Sequence, residues 1–284
     1  SRLMTKQDAI ARPNDLVAAL EARARTLRRH MLRMARGQGQ GYIGQGLGIA
    51  DLMAVLYFSE LRFSPQNLTW FDRDRFLLST GHYSIALWAA LAEAGVFPLD
   101  ELDTYGRDGS RLEMSTIDTT PGVEMTGGSL GHGLGMGIGM ALGLRDPAPQ
   151  ARVFVELSDG EMQEGSTWEA AMSASHFRLD NLIALVDCNG IQADGATVLD
   201  MEPVAAKWLA FGWDVQEIDG NSIPALLAAF DPARGRNRKP KAIVLRTTPG
   251  RGVRALETRE KAHFIRVDPS EWDLFARELE EPHD

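Results

Sequence analysis

The chain has 284 residues, of which 44% are hydrophobic and 24% are charged, and its formal net charge is −9. This acidic balance argues against nucleic acid or an anionic membrane as the main partner, and no uncharged apolar run is long enough to cross a bilayer. A single cysteine, Cys188, excludes an internal disulfide framework and fits a reducing compartment. We therefore expect one large, soluble domain over residues 1–284 in the cytoplasm, with no signal peptide.

The first part of the chain predicts two helices on either side of a glycine-rich loop. Apolar residues recur at helical spacing over 15–36, and a second helix is expected over 49–59, so that 15–60 forms an N-terminal helical segment. Residues 37–48 (GQGQGYIGQGLG) contain six glycines and predict a loop. Such a loop can wrap closely around a ligand, or it can simply connect the two helices.

The next elements are a short buried strand and two helices. The strand is expected over 76–79 and ends in Thr80, Gly81 and His82, with a helix over 84–94 directly after it. A short helix is predicted over 99–105, followed by a loop to 123. Glycines at 131, 135, 139 and 143 then share one face of a helix. This face serves either tight packing inside the domain or a subunit interface, and the sequence leaves both possibilities open.

The stretch 152–195 has the pattern of two parallel strands joined by a helix. Runs rich in β-branched residues at 153–157 and 182–187 flank a helical pattern at 165–177. The final third adds strands over 213–218 and 242–247, helices over 202–211 and 222–231, and an acidic tail, 268–284, with one amphipathic helix. The sequence therefore predicts an α/β fold with a doubly wound, mainly parallel sheet of five to six strands and helices on both faces.

Two polar turns follow neighbouring strands of this sheet. Asp159 follows the first strand and Asn189 follows the second, about thirty positions later, so both lie at the edge where open α/β sheets bind ligands. Their oxygens, with a backbone carbonyl near Ile191, suit Mg²⁺, or Ca²⁺ or Mn²⁺ in its place, which would complete its shell from phosphate and water. Gly160 allows a phosphate to approach the backbone, and the next helix offers free N–H groups. The predicted ligand is a metal-bound diphosphate.

Several motifs carry a resemblance to a known family. The run SDGEMQEG (158–165), followed by CNGIQADG (188–195), resembles the thiamine diphosphate signature and is closest in wording to transketolases. STGHYSIALWAAL (79–91) resembles the transketolase block SxGHxSxALY, and PGVEMTGGSLGHG (121–133) is similar to GVExTTGxLGQG. TTPGRGV (247–253) resembles the TxxGxGV segment. The resemblance covers nearly the whole chain and implies the diphosphate-binding (PP-type) domain of a thiamine diphosphate enzyme.

This resemblance implies roles for individual residues. His82 and His263 match family histidines beside the cofactor and the reacting carbon, and both are candidate catalytic residues. Two other histidines that contact substrate in the family are replaced by Tyr42 and Met114, which implies a less polar substrate pocket. Glu164 and Glu169 match glutamates of the family's dimer interface. The complete set of expected cofactor-binding residues is His82, Gly128, Leu130, Asp159, Gly160, Glu161, Asn189, Ile191 and His263, of which Asp159, Asn189 and Ile191 would hold the metal.

The resemblance also implies a partner. The sequence corresponds to the N-terminal third or so of a full-length transketolase, whereas the glutamate that activates the cofactor belongs to a second, pyrimidine-binding domain. We expect a separately encoded subunit to supply it, in an α2β2 assembly, and the chain to be inactive alone. The implied activity is that of a carboligase dependent on thiamine diphosphate and Mg²⁺. It would transfer a two-carbon ketol or acyl unit from a ketose or 2-oxo acid donor to an aldehyde acceptor.

Two other functions remain open at this point. The letters GEM (160–162) and CN (188–189) resemble the homodimeric pyruvate dehydrogenase group, which would make the chain the decarboxylating subunit of a 2-oxo acid dehydrogenase. Alternatively, the chain is a cofactor-binding scaffold without catalysis, and Tyr42 and Met114 are signs of its decay. Retention of His82, Asp159 and Asn189 favours an enzyme over the scaffold.

Overall fold

Five parallel strands form the central sheet of the protein. The computed structural model describes residues 13–193, 195–196, 199–231 and 237–281. The strands are β1 (Arg75–Leu78), β2 (Val153–Ser158), β3 (Leu182–Cys188), β4 (Asp214–Asp219) and β5 (Lys241–Arg246). They lie in the order β1-β2-β3-β5-β4, and each neighbouring pair is parallel. The predicted parallel sheet is therefore confirmed.

Helices precede, connect and follow these strands. They are α1 (Pro13–Gln38), α2 (Ile43–Gly48), α3 (Ala50–Val55), α4 (Ser84–Glu93), α5 (Gly133–Leu144), α6 (Gly165–His176), α7 (Val204–Ala210), α8 (Ile223–Ala229), α9 (Arg254–Glu257) and α10 (Trp272–Glu280). A π-helical turn, Leu56–Glu60, extends α3, and 3-10 turns occur at Gly81–Tyr83, Leu99–Thr104 and Glu161–Gln163. Across the described ranges, we find no helix with the length and apolar character that a membrane span requires.

The two faces of the sheet are covered by two different groups of helices. Because side chains alternate along a strand, residues 154, 183, 185, 243 and 245 pack on one side with α1, α3, α4, α8 and α10. Residues 153, 155, 182, 184 and 244 pack on the other side with α5, α6 and α7. Strands buried on both faces read as continuous apolar runs, as β2 and β3 do. The expected doubly wound α/β fold with helices on both faces is confirmed.

The glycine-rich segment differs from its prediction, because residues 43–48 form helix α2 rather than a loop. The glycines let this helix pack against backbone that lies far away in the sequence. A Cβ atom at Gly44 would lie 2.8 Å from the carbonyl oxygen of Ala262, and one at Gly46 would lie 2.5 Å from the side chain of Ile85. Close packing therefore offsets the low helix propensity of glycine. The helix holds the preceding residue, Tyr42, in a fixed place.

The glycines of α5 divide into two sets. A Cβ atom at Gly137 would lie 2.4 Å from the Val155 side chain, and one at Gly133 would lie 2.3 Å from Ser79, so these two allow α5 to approach the sheet. No described atom lies within 4 Å of a Cβ placed on the outer set, Gly135, Gly139 and Gly143. Tight packing inside the domain therefore does not explain this outer set. Its face remains open to a partner.

Candidate active site

A cavity of about 620 Å³ lies at the carboxyl ends of β1, β2 and β3. Ligands of open α/β sheets bind at this edge. The cavity brings together seven separate segments of the sequence, between residues 42 and 264. The residues predicted from sequence that line it are Tyr42, His82, Met114, Gly128, Leu130, Gly160, Ile191 and His263.

The two polar turns meet through Asp159, which together with Asn189 lines a smaller adjacent cavity rather than the cavity of the histidines. Its Oδ1 accepts the backbone N–H of Gly160, and its Oδ2 accepts the N–H of Gly190, both at 2.7 Å. Asp159 is only 5% exposed, and burial raises the pKa of its carboxyl while these two donors oppose the increase. The convergence expected from the two strand ends is thus present in the structure.

Asn189 belongs to the second turn and is held by three hydrogen bonds. Its amide oxygen accepts the N–H of Ile191 at 3.0 Å. Its amide nitrogen donates to Oδ2 of Asp187 at 2.7 Å and to the hydroxyl of Tyr83 at 2.9 Å. The amide is consequently fixed in one orientation.

These turns fit a divalent cation bound to a diphosphate. Each carboxylate oxygen of Asp159 and the amide oxygen of Asn189 accepts one protein donor, which leaves a lone pair for a metal. In the part of the chain that the structure describes, no group of three or more His, Cys, Asp or Glu side chains could hold a metal ion. The protein therefore offers a partial oxygen shell, and Mg²⁺ prefers to complete such a shell with phosphate and water.

Two glycines keep space open for the diphosphate and the ring of a cofactor. A Cβ atom at Gly160 would lie 3.1 Å from the Gln192 side chain. At Gly128, φ is +116° and a Cβ atom would lie 3.1 Å from Oγ of Ser115. A larger residue at either position would fill part of the cavity or strain the backbone. The residues present therefore fit the group that the sequence predicts.

Two neutral imidazoles lie at the other end of the cavity. His82 sits on the 3-10 turn after β1, and its ring centroid is 5.4 Å from that of His263. Burial, together with the neighbouring His263, lowers the pKa of His82 to about 4. Burial also lowers the pKa of His263. Both rings are uncharged near neutral pH, so each can accept a proton or donate an N–H.

Tyr42 forms an aromatic wall beside these histidines. Its ring makes edge contacts with His82, His263 and Phe264 at centroid distances of 4.8, 5.3 and 5.1 Å. Met114 lines the same cavity and is partly buried. The two residues that depart from the family pattern thus both line this cavity and make its wall less polar, and their contact with a substrate stays a prediction.

Glu161 is buried directly after the first of the two turns. Its side chain is 1% exposed and lies behind the cavity, where it accepts hydrogen bonds from the Ser79 hydroxyl and from the N–H of Gly131 at 2.8 Å. The 3-10 turn after Gly160 directs the carboxylate inward, away from the cavity lining. Glu161 therefore holds the loop that carries Gly128 and Leu130, and its contact with a cofactor stays a prediction.

Glu164 and Glu169 lie on the surface. Both are exposed, Glu164 directly before α6 and Glu169 within it. This placement leaves them accessible to a partner, and their role at an interface stays a prediction. Cys188 is buried at the end of β3, and burial raises the pKa of its thiol, as expected of a core cysteine rather than a nucleophile.

Sequence reasoning missed several residues that line the cavity. They are Tyr83, Glu113, Ser115, Ser158, Gln192, Ala193 and Phe264. Most follow or precede a predicted residue directly. Consecutive side chains in a turn can face the same cavity. The alternation of side chains between the two faces of a strand, which predicts buried positions in the sheet, therefore does not apply to these residues. Adjacency to a motif residue was the available signal.

Two buried acids lie beneath the site. Glu156 of β2 accepts a hydrogen bond from the Thr80 hydroxyl, and its other oxygen has no partner among the described residues. Burial raises the pKa of Glu156 well above its ordinary value. Burial also raises the pKa of Asp187 to about 7, although hydrogen bonds from Thr247 and Asn189 oppose the increase. Acidic groups under the site therefore titrate in an unusual range.

Comparison with known proteins places these features in a family context. The family described as the thiamine diphosphate binding domain of transketolase matches residues 21–274. The chain is 56% identical over 258 residues to a transketolase family protein of Sinorhizobium fredii, with 89% of this chain and 92% of the relative covered. It is 38% identical over 264 residues to the 6-deoxy-6-sulfo-D-fructose transketolase subunit of a Clostridium strain, with 92% and 96% covered.

Another relative and two solved structures extend the comparison. One subunit of the apulose-4-phosphate transketolase of Phocaeicola vulgatus is 34% identical, with 93% of this chain and 95% of the relative covered. Transketolase from Leishmania mexicana has a TM-score of 0.84 at 31% identity, and a Pichia stipitis transketolase mutant has 0.85 at 31%. The alignments cover 91% and 92% of this chain, but only 41% and 40% of those longer chains.

Proposed function

The chain belongs to the transketolase family of thiamine-diphosphate-binding domains, and from this premise we propose that it is the diphosphate-binding component of a two-component transferase. The enzyme would depend on Mg²⁺ and move a two-carbon ketol or acyl unit from a ketose or 2-oxo acid donor to an aldehyde acceptor. The observation that carries this proposal is the Asp159–Gly190 hydrogen bond, because it joins two turns whose Gly160 and Ile191 line the cavity that also contains His82 and His263.

The cofactor proposal assigns distinct tasks to the residues of the turns. Asp159, the amide oxygen of Asn189 and the main-chain carbonyl of Ile191 would hold the cation, and Gly160 would face the diphosphate. The loop with Gly128 and Leu130 would lie along the thiamine. When bound, thiamine diphosphate supplies an electron sink for breaking and forming carbon–carbon bonds beside a carbonyl.

The protein's own contribution to the reaction would be proton transfer and shape. A neutral imidazole at His82 or His263 can take a proton from a donor hydroxyl and return one to an acceptor oxygen. Tyr42 and Met114 would exclude water on one side of the substrate. The two relatives with named substrates act, by their names, on derivatives of fructose and apulose, which supports a modified sugar as donor.

The charge of the cavity bears on how the substrate is held. Glu113 is the only charged side chain among the lining residues that the structure describes, and none of them is lysine or arginine. A phosphate, sulfonate or carboxylate on the substrate would therefore gain no ion pair from the described residues that line this cavity. We assign that contact to the partner.

Two observations support a separately encoded pyrimidine-binding partner. Relatives that are named as subunits match over 95–96% of their own length, whereas the chain covers about 40% of full-length transketolases. The open glycines of α5 lie on a helix whose Met136 and Leu142 are exposed, and Met172 and Phe177 are exposed on and just after α6. An apolar face of this kind marks an interaction surface, here for the subunit with the activating glutamate in an α2β2 assembly.

Calorimetry tests the proposal directly. Thiamine diphosphate and Mg²⁺ are titrated into the chain alone and into its mixture with the candidate partner encoded beside it, and turnover is then measured with ketose and 2-oxo acid donors. We expect tight binding and turnover only in the mixture. Binding without turnover would instead support the scaffold function, and the absence of binding in both samples would refute the cofactor site.

A further inference from the structure

Tyr83 lies between the two ends of the candidate site. It ends the 3-10 turn Gly81–Tyr83, is 2% exposed, and lines the cavity. Its ring makes an edge contact with His82 at a centroid distance of 4.7 Å. Its hydroxyl oxygen accepts a hydrogen bond from Nδ2 of Asn189 at 2.9 Å. One side chain therefore touches both the proton-handling end and the cation end of the site.

The hydroxyl belongs to a connected set of hydrogen bonds. Nδ2 of Asn189 also donates to Oδ2 of Asp187 at 2.7 Å. The Thr247 hydroxyl donates to the other oxygen of Asp187. The two acceptors of the Asn189 amide nitrogen are the Tyr83 hydroxyl and Oδ2 of Asp187, so both lie on the nitrogen side of the amide. The amide oxygen is therefore turned towards Ile191, whose N–H it accepts.

We propose that Tyr83 is a positioning residue whose hydroxyl fixes the Asn189 amide so that its oxygen faces the cation, while its ring fixes the imidazole of His82. The inference rests on the proposed cofactor function. Partners that orient a metal ligand commonly change metal affinity by about 10- to 100-fold when they are removed. The position after the histidine is unspecified in the pattern SxGHxSxALY, so the resemblance alone does not predict a role for Tyr83.

The substitution Tyr83→Phe isolates the hydroxyl. Phenylalanine fills the same ring space, so the contact with His82 is retained while the bond to Asn189 is lost. Tyr57→Phe is the matched control, because Tyr57 is another buried tyrosine, packed against Phe63 and Phe76 and absent from the cavity lining. Any effect of removing a buried phenol oxygen in general will appear in both variants.

The measurement is Mn²⁺ affinity, read from the electron paramagnetic resonance signal of free Mn²⁺. The protein is assayed in complex with its partner, with thiamine diphosphate at saturation. We expect Tyr83→Phe to weaken Mn²⁺ binding about tenfold and Tyr57→Phe to leave it within about twofold. In an Asn189→Ala background, Tyr83→Phe should have no further effect, because the hydroxyl acts through that amide.

Each outcome separates this inference from the function on which it rests. If wild type binds Mn²⁺ and Tyr83→Phe binds it equally well, the inference is wrong and the cofactor proposal stands. If the losses of Mn²⁺ affinity caused by Asn189→Ala and by Tyr83→Phe add fully in the double variant, the inference is also wrong, because Tyr83 would then act independently of Asn189. If the wild-type complex binds no Mn²⁺ at all, both the cofactor proposal and the inference fail.

Discussion

The backbone N–H of Gly190 donates a hydrogen bond of 2.7 Å to the carboxylate of Asp159, although the two residues are 31 positions apart. This bond joins the turn after β2 to the turn after β3. The other carboxylate oxygen accepts the N–H of Gly160 and so shapes the first turn. Asp159 therefore has two tasks: it holds the turns together and, in the proposed enzyme, it binds the cation.

The variant Asp159→Asn separates these tasks. The amide keeps one acceptor oxygen but places an NH₂ group opposite one backbone N–H, so we expect a loss of about 1–3 kcal/mol in the free energy of unfolding. Binding of thiamine diphosphate that depends on Mg²⁺ should be abolished, because the anionic ligand is gone. Calorimetric titration and urea unfolding measure the two effects. Asp273→Asn, at an exposed acid of α10, is the control, and unchanged cofactor affinity in Asp159→Asn would refute the site.

The sequence predicted the structure correctly where the periodicity of apolar residues and the topology of a parallel sheet could be combined. Asp159 and Asn189 could be paired because parallel strands end at one edge of a sheet, and the structure brings their turns together. The family resemblance is confirmed by the match over residues 21–274. Both conclusions depend on patterns that are local to a motif or repeated along the chain.

Other features depend on contacts that no local pattern encodes. Helix α2 was mistaken for a loop because the partners that stabilise its glycines, Ala262 and Ile85, lie far away in the sequence. The inward direction of Glu161 follows from a 3-10 turn, whose side-chain directions have neither helix nor strand periodicity. Tyr83 was missed for the same reason, since it lies in a turn directly after His82.

The two glycine sets of α5 provide a test of the partner face. Gly137→Ala places a Cβ atom 2.4 Å from Val155, and the overpacking should destabilise the protein by about 1–3 kcal/mol. A Cβ atom at Gly139 meets no described atom within 4 Å beyond its chain neighbours and the backbone of its own helix, so the stability of the isolated chain should be unchanged or slightly increased in Gly139→Leu. Its side chain should nevertheless obstruct close docking and weaken assembly about tenfold or more.

Thermal unfolding of the isolated chain and sedimentation velocity with the partner distinguish these effects. The two variants change neighbouring positions of one helix, so each is the control for the other. Normal assembly of Gly139→Leu would show that the partner binds elsewhere. A loss of stability in Gly139→Leu would show that the face is covered within the chain itself.

Tyr42 should control the choice of donor rather than cofactor affinity. Its ring contacts His82, His263 and Phe264, so Tyr42→Ala removes a wall of the substrate cavity but no proposed cofactor ligand. We expect the ratio of kcat/KM between the preferred donor and a bulkier one to fall about tenfold, as for other pocket contacts worth about 1–3 kcal/mol. Tyr42→Phe keeps the ring contacts, and its ratio should stay within about twofold of wild type. Equal ratios in wild type and Tyr42→Ala would exclude Tyr42 as a determinant of specificity.

His82 gives the site a measurable dependence of stability on pH. Burial lowers its pKa to about 4, whereas an unfolded histidine titrates near 6.5. Because the pKa of His82 is lower in the folded state than in the unfolded state, its contribution to the free energy of unfolding is fully present above about pH 6.5. This contribution is lost as the pH falls towards 4. The shift corresponds to about 3 kcal/mol. Asp187, whose pKa is raised to about 7, has the opposite effect on stability. Its contribution to the free energy of unfolding is lost as the pH rises from about 4 to 7.

Because these effects overlap, the informative quantity is the difference in the free energy of unfolding between wild type and His82→Asn. Asparagine cannot take up a proton in this pH range. Between pH 7 and pH 4, wild type should therefore lose up to about 3 kcal/mol in its free energy of unfolding relative to His82→Asn. The carboxyl contributions are common to both proteins and cancel. Urea unfolding at half-unit pH intervals measures the difference, and His176→Asn, at an exposed histidine, is the control. A difference that stays constant across this range would mean that the pKa of His82 is the same in the folded and the unfolded protein, which would contradict the lowering of its pKa by burial.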